Sequence, residues 1–409
     1  MRIQLSYPSS KKISASVQIT GSKSETNRLL LLQKLFPNLS LTNLSNSDDA
    51  QVMQKGLAID QGIVDIFHAG TAMRFLTSFF ATQPGKSVEL TGSPRMKQRP
   101  IKVLVDALTD LGADIRYVEN DGYPPLAING VKIVKQQVSL PANISSQYIS
   151  SLCLVAPSLE NGLEIELIGK VTSVPYINMT LGLLAEIGVT ADFDGQTIRI
   201  QPKSEVADTT MVVESDWSAA SYYYSIAALS EVGSTIELAS YKDRSLQGDR
   251  VLAEVYNAMG VVTDFFENHI VLTKTETPKT GHLQLDLANA PDIAQTVAVS
   301  CYGLGMTCHL SGLHTLPIKE TDRLAAMKTE LEKFGATVVI DAESLHLKAT
   351  NLHSDPVAVD TYHDHRMAMA FAPLAMKRAF QVNEAEVVSK SYPDFWNDLA
   401  GIGFSVKEA

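Results

Sequence analysis

A phrase recurs five times along this chain: a helical stretch closes on glycine and runs straight into an alternating or β-branched strand. It reads LTDLGADIRY from Leu108, LLAEIGVTADF from Leu183, VYNAMGVVTDFF from Val255, LEKFGATVVI from Leu331 and LAGIGFSV from Leu399. Gly112, Gly188, Gly260, Gly335 and Gly403 follow one another at intervals of 68 to 76 residues. Glycine suits a left-handed helix terminus. Before each phrase, apolar spacing and start signals predict another helix, beginning near Thr71, Ser146, Trp217, Asp292 and His365, with a sixth near Ser24. From Thr71 on, these starts lie 71 to 75 residues apart. Helix–glycine–strand joints occur in any α/β protein, but five in near-constant phase make a repeat. Its period exceeds the roughly 20–50 residues of solenoid repeats and fits small αβ subdomains. Six βαβαβ-type units, three to a lobe, predict two similar lobes and one cleft. The first unit is shortened, because only 20 residues separate Asp49 from Gly70.

Nearly every unusual polar cluster falls at the start of one of these helices. GSKSETNR (Gly21 to Arg28), HAGTAMR (His68 to Arg74), PRMKQRP (Pro94 to Pro100), ISSQY (Ile144 to Tyr148) and SDWSAAS (Ser215 to Ser221) are five of them. Pro291 with Asp292, KETDR (Lys319 to Arg323), HDHRM (His363 to Met367) and SKSYPD (Ser389 to Asp394) complete the set. Helix N-termini carry free N–H groups and partial positive charge, which makes them anion sites. Lys23, Arg28, Arg74, Arg95, Arg99, Lys319, Arg323, Arg366 and Lys390 add cations there. Any one motif reads equally well as ordinary capping, with Ser24, Thr71 and Ser146 as N-caps. Nine together predict a small, multiply anionic ligand, with Asp292 and Glu320 as acid–base candidates. In KETDR, Lys319 and Arg323 are four apart and share a face if the helix has begun. Asp322 suits the helix N-terminus.

Composition removes other classes. A net charge of −11 and a pI near 5.3 argue against a nucleic-acid partner. Converging Arg and Lys can still hold a small anion inside an acidic protein. No run of about 18 apolar residues suggests a membrane span. The stretch MRIQLSYPSSKK lacks the apolar core of a secretory signal, so a cytoplasmic protein is expected. Cys153, Cys301 and Cys308 show no CxxC pair and sit among apolar neighbours, as small buried residues do. His363 and His365 have no matching Cys or Glu-x-x-His pattern, so no structural metal is expected.

Taken in order, GSKSETNR, AGTAMR, PRM-x-x-RP, SSQ, PDIA, KETDR and DHRMAM resemble the motifs of the 5-enolpyruvylshikimate-3-phosphate synthase family, from about Gly21 to Leu399. The resemblance implies an α/β (α+β) fold of two lobes, each an inverse αβ barrel of three βαβαββ units. Residues 1–20 with 214–409 would form the C-terminal lobe and 21–213 the N-terminal lobe, with the active site in the cleft. It implies transfer of the enolpyruvyl group of phosphoenolpyruvate to the 5-hydroxyl of shikimate-3-phosphate, with release of phosphate, on the route to chorismate and the aromatic amino acids. The enzyme would be a monomer with no metal, no organic cofactor, and no nucleic-acid or membrane partner.

Carried over by motif, shikimate-3-phosphate would be held by Lys23, Ser24, Arg28, Ser145, Ser146, Gln147, Ser173, Tyr176, Asp292, Thr315 and Lys319. Phosphoenolpyruvate would be held by Lys23, His68, Gly70, Thr71, Arg99, Gln147, Arg323, Arg366 and Lys390. Asp292, Glu320, Lys319 and Lys23 would carry the catalysis. Asp292 is the candidate for the hydroxyl proton, and Glu320, with Lys319 beside it, for the proton on C3. The chain departs from the family's usual pattern at His68 (commonly Asn), Phe75 (Pro), Val174 (Lys), Thr315 (Asn) and Pro317 (Arg). Two rivals remain: the related transferase acting on UDP-N-acetylglucosamine, and a non-catalytic anion-binding relative. The first commonly carries a Cys in a mobile loop, and PRMKQRP has none. The intact set of Lys23, Asp292, Lys319, Glu320 and Lys390 argues against the second.

Overall fold

The computed structural model describes residues 1–8, 12–142, 145–169, 171, 174–350 and 356–409, so Ser173 of the expected site lies outside the described residues. The chain divides into two compact units, one of Gly21–Val213 and one of Met1–Thr20 with Glu214–Ala409. The first carries helices α1 (Lys23–Leu35), α2 (Asp48–Leu57), α3 (Gly70–Ala81), α4 (Lys102–Asp110), α5 (Ser146–Val155) and α6 (Val174–Glu186). The second carries α7 (Trp217–Leu229), α8 (Leu252–Asn257), α9 (Ala294–Gly303), α10 (Arg323–Lys333), α11 (His365–Phe371) and α12 (Phe395–Gly401).

Six sheets are formed by the described residues, and five share one plan. A leading strand pairs parallel with the strand that follows an odd-numbered helix, and two antiparallel strands complete the sheet. In the first unit Gln61–Asp65, Ser87–Thr91, Leu126–Asn129 and Asp114–Tyr117 lie in that order. Gln137–Pro141, Leu163–Ile168, Thr197–Ile200 and Ala191–Phe193 repeat it. The second unit has three such sheets, built on Thr235–Ala239, Thr307–Ser311 and Phe380–Val382. The sixth sheet is the shortened one: Leu39–Thr42 and Thr209–Val212 pair in parallel with no hairpin beside them. This is the expected α/β architecture of repeated units.

The crossings between units come from an exchange of leading strands. Ser14–Val17 runs in sequence toward α1 but pairs with Thr235–Ala239, behind α7. Thr209–Val212 runs toward α7 but pairs with Leu39–Thr42, behind α1. Gly21 marks the first crossing, where an added Cβ would lie 2.0 Å from the Asn43 carbonyl oxygen. At the chain start, Ile3–Ser6 completes the last repeat by pairing with Phe380–Val382 and Ser405–Glu408.

The two helix sets differ in burial, and their sequences say why. Helices α3, α5, α7 and α9 are apolar or small nearly all round, as buried helices are. In α3 every residue except Thr71 is buried, and in α9 every residue from Ala294 to Tyr302. Each large apolar side chain so buried contributes about 1.5–3 kcal/mol. Hydroxyls tie these helices together, Ser78 to Ser151 at 2.9 Å in one unit and Ser300 to Ser225 at 2.7 Å in the other. The even-numbered helices are amphipathic. Most end as the repeated phrase predicts, with Gly112, Gly188, Gly335 and Gly403 left-handed one residue past the C-cap. Around Gly112 the Ala113 amide bonds the Leu108 carbonyl and Gly112 the Thr109 carbonyl, which closes a Schellman motif. That geometry turns the chain back as a strand.

Candidate active site

In the second unit the segments that open α9, α10 and α11, with Lys390 from the 3-10 turn Ala385–Lys390 ahead of α12, converge on one charged cluster. Asp292 sits in a short 3-10 turn, Pro291–Ile293, that leads into α9. Its carboxylate accepts from Arg323 Nη1 at 2.8 Å, lies 3.2 Å from Arg366 Nη2, and is 3.7 Å from Lys319 Nζ. Glu320 accepts from Arg323 Nη2 and from Lys390 Nζ, each at 2.9 Å. Arg323 Nε donates to Asp364 at 2.7 Å. One guanidinium therefore answers three carboxylates, through Nε, Nη1 and Nη2. Asp364 also caps α11, accepting from the Arg366 amide at 2.9 Å.

The electrostatics follow from this crowding. Burial alone would raise the Asp292 carboxyl, but Arg366, then Lys319 and Arg323, overcome it and hold it well below the usual carboxylate range. Burial opposes ionisation of Glu320 as well, and Arg323 and Lys390, with His365, hold it well below its ordinary value. Asp249 goes the other way: burial first and the neighbouring Asp292 second push it up to about 7, against the pull of Arg366. Ser218 bridges these groups, bonded to Asp249 and accepting from Arg366 Nη2 at 3.3 Å.

In the first unit the expected residues gather differently. Arg28 is buried and donates to the Ser24 and Tyr176 carbonyls and to the Thr180 and Ser150 hydroxyls. Burial lowers its guanidinium to about 10. Its charge stands over the Phe75 ring at 5.3 Å and the Tyr176 ring at 6.0 Å. Phe75, a departure from the family pattern, is thus a cation–π partner that steadies this arginine. Lys23 lies 3.5 Å from Asp49. Gln147 Nε2 donates to Thr71 Oγ1 at 3.2 Å and joins the starts of α5 and α3. His68 Nδ1 is 2.7 Å from Ser93 Oγ. Arg99 crosses directly over Gly70, with Nη1 2.6 Å from where a Cβ on Gly70 would stand. Arg74 lies beside it, donating to the Gly70 carbonyl at 3.0 Å.

A model of the EPSP synthase (3-phosphoshikimate 1-carboxyvinyltransferase) family matches residues 56–399. The chain belongs to the EPSP synthase family. A 3-phosphoshikimate 1-carboxyvinyltransferase of Bacteroides fragilis (strain YCH46) is 45% identical, over 100% of this chain and 99% of the relative. One from Shewanella pealeana is 35% identical over 97% of this chain and 98% of the relative. The fold matches an EPSP synthase structure from Acinetobacter baumannii with a TM-score of 0.81 at 18% identity, over the full length of both chains. It also matches the enolpyruvyl transferase NikO from Streptomyces tendae with a TM-score of 0.73 at 13% identity, covering 100% of this chain and 99% of that one.

Two local expectations for this EPSP synthase family chain are corrected by the geometry. Ser24, Thr71 and Ser146 are not N-caps. The caps are Ser22, Ala69 and Ser145, of which Ser145 bonds the Gln147 amide through its side chain. The helices start a residue or two earlier than their apolar periodicity does, which leaves those three hydroxyls in the first turn. Lys319 and Arg323 do not share a helix face either. Asp322 caps α10 by accepting from the Ala325 amide, so the helix begins at Arg323 and Lys319 stands ahead of it. The two cations meet at Asp292 instead. Asp364, Asp249 and Ser218 were not named as site residues, although Ser218 lay inside the motif SDWSAAS. Asp364 lay inside DHRMAM at a capping position, whereas Asp249, in SLQGDR, carries no local signal. All three cysteines are buried, as expected.

Proposed function

We propose that residues of both units act on one substrate pair, and that the cluster around Asp292 and Glu320 carries the chemistry. As an EPSP synthase, the chain transfers the enolpyruvyl group of phosphoenolpyruvate to shikimate-3-phosphate in aromatic biosynthesis. The observation that carries the site assignment is the cluster itself: two ionised carboxylates held among Arg323, Arg366, Lys319 and Lys390.

In this reading phosphoenolpyruvate lies against Arg323, Arg366, Lys390 and Arg99, beside Gly70, Thr71, His68 and Gln147. Shikimate-3-phosphate meets Lys23, Ser24, Arg28, Ser145, Ser146, Gln147, Ser173 and Tyr176 from the first unit, and Asp292, Lys319 and Thr315 from the second. Thr315 fits that role because its Oγ1 is buried without a hydrogen-bond partner among the described residues. Asp292, ionised, takes the proton of the 5-hydroxyl as that oxygen attacks C2. Glu320 starts ionised too. An anionic ligand that draws Arg323 and Lys390 toward itself weakens their hold on Glu320, and its carboxyl rises. Glu320 can then take a proton from solvent, pass it to C3 and take it back as phosphate leaves, while the hydroxyl proton held by Asp292 departs with the phosphate. Lys319 and Lys23 balance charge between the two ligands. The enzyme works as a cytoplasmic monomer with no nucleic-acid or membrane partner. No helix among the described residues is long and apolar enough to cross a membrane, and the acidic net charge of −11 disfavours nucleic acid.

A phosphate-release assay with shikimate-3-phosphate and phosphoenolpyruvate tests the activity, and each substrate alone should release none. Release with UDP-N-acetylglucosamine in place of shikimate-3-phosphate would transfer the assignment to the other transferase. The position of Arg99 gives a second expected outcome. In Gly70→Ala the new methyl must push the Arg99 guanidinium aside, since only 2.6 Å is open. Arg99 is a flexible side chain, so the fold tolerates this but the ligand contact does not. KM for phosphoenolpyruvate should rise about tenfold, or ~1.4 kcal/mol, with KM for shikimate-3-phosphate little changed. An unaltered KM for phosphoenolpyruvate would remove Arg99 and Gly70 from its site.

A further inference from the structure

Among the described residues, six that are not glycine have a positive φ, and three of them meet in one place: Tyr362 at 55°, His363 at 56° and Glu384 at 49°. Tyr362 and His363 are the central pair of a four-residue turn closed by the Asp364 amide donating to the Thr361 carbonyl at 2.8 Å. Two central residues with positive φ make a type I′ turn, which glycine, asparagine and aspartate normally fill. Glu384 stands directly before the 3-10 turn Ala385–Lys390. Strained backbone of this kind persists where the surroundings over-determine it, and it concentrates at functional sites.

The side chains that make the turn costly are the ones that tie it down. The Tyr362 hydroxyl donates to Glu330 Oε1 at 2.6 Å. Glu330 is fully buried on α10, two turns beyond Arg323, and its other oxygen receives the Asp360 amide at 3.2 Å and Lys333 Nζ at 2.8 Å. Burial first, and the Glu330 carboxylate after it, push the Tyr362 phenol further above its ordinary range, so it stays a donor. Glu384 accepts from Thr361 Oγ1 at 3.2 Å and lies 3.3 Å from His363 Nδ1. The tied segments run on in sequence to charged groups of the site. The turn leads into Asp364, which grips Arg323 and caps the helix bearing Arg366. Glu384 leads into the segment that ends at Lys390.

We propose that Tyr362 and Glu384 are positioning residues for phosphoenolpyruvate binding: they buckle the segments carrying Arg366 and Lys390 to the helix that begins with Arg323. This rests on the reading above, in which those three cations receive phosphoenolpyruvate. Glycine at the turn would relax the backbone and lose the ties. Tyrosine and glutamate keep the ties at the cost of strain, and so fix where the cations stand.

The test compares Tyr362→Phe, which keeps the ring and loses the hydroxyl, with Glu384→Ala, Glu384→Gln and Arg366→Lys, each by steady-state kinetics and thermal melting. Tyr362→Phe and Glu384→Ala should each raise KM for phosphoenolpyruvate about fivefold, the effect of losing roughly one hydrogen bond's worth of placement, while KM for shikimate-3-phosphate moves less than about twofold. Glu384→Gln keeps an acceptor for Thr361 and should recover most of the loss. Tyr362→Phe added to Arg366→Lys should cost less than the product of the two single effects, because both act through the same arginine. A lowered melting temperature with both KM values unchanged would make the buckle merely structural and overturn the proposal. If Arg366→Lys raises KM for phosphoenolpyruvate and Tyr362→Phe does not, the positioning role alone falls. If Arg366→Lys itself leaves that KM unchanged, the binding assignment falls and takes the proposal with it.

Discussion

Arg323→Lys is expected to lower kcat/KM for phosphoenolpyruvate about a thousandfold, equivalent to ~4 kcal/mol. The size of the effect comes from geometry. The Arg323 side chain is 2% exposed, and its three nitrogens donate in three directions, to Asp364, Asp292 and Glu320. A lysine carries the same charge on a single atom and cannot answer three carboxylates at once. Asp364, fully buried, would lose its planar partner. Without the Arg323 Nε bond, Asp364 would be held less firmly as the cap of α11, and Arg366 would move with that helix. Part of the cost must therefore appear as stability, so the kinetics need a matching thermal melt and a check of secondary structure by circular dichroism. A variant that is folded and within tenfold of the parent in kcat/KM would show that this arginine is not a ligand for phosphoenolpyruvate.

Asp292→Asn should separate binding from chemistry. The substitution keeps the shape and removes the charge, so Arg323, Arg366 and Lys319 lose a shared counter-ion. Those cations then face an anionic ligand with less competition. Affinity for phosphoenolpyruvate, read by calorimetry in the presence of shikimate-3-phosphate, should hold or tighten. Turnover should fall by about 10²–10⁴, the usual worth of a positioned general base. The amide cannot accept the hydroxyl proton, whereas the parent carboxylate is held ionised by its neighbours. Single-turnover phosphate release is the decisive readout. If kcat stays within tenfold of the parent, another group removes that proton and Asp292 serves only to space the cations.

Much of the fold was legible in the sequence, because its signals are local. Apolar runs such as FLTSFFA and a glycine one residue beyond the C-cap act over a few residues, and the helices begin and end close to where those signals stand. The missing hairpin of the first repeat was legible as a count of residues. The exact helix starts were less so: Ser24, Thr71 and Ser146 are all plausible caps by type, and their hydroxyls stand one or two residues inside the helix. The choice among these neighbouring positions depends on how the preceding strand delivers the chain, which no cap propensity records.

By itself, then, the sequence determined the repeat, the helix and strand identities and the motifs that carry the charges. Tertiary structure alone decided which charges meet. Asp292 and Arg323 are 31 residues apart, Arg323 and Asp364 are 41 apart, and Lys390 and Glu320 are 70 apart. No periodicity or spacing rule reaches across such separations, because the contact depends on how three repeats pack side by side. The exchange of leading strands is hidden for the same reason. Ser14–Val17 and Thr209–Val212 each read as an ordinary strand before a helix, and only the parallel register with a strand far away in sequence shows which repeat each one serves. The turn Thr361–Asp364 is the sharpest example. Local propensity disfavours Tyr362 and His363 at positive φ, yet bonds to Glu330 and Glu384, residues remote in sequence, hold them there.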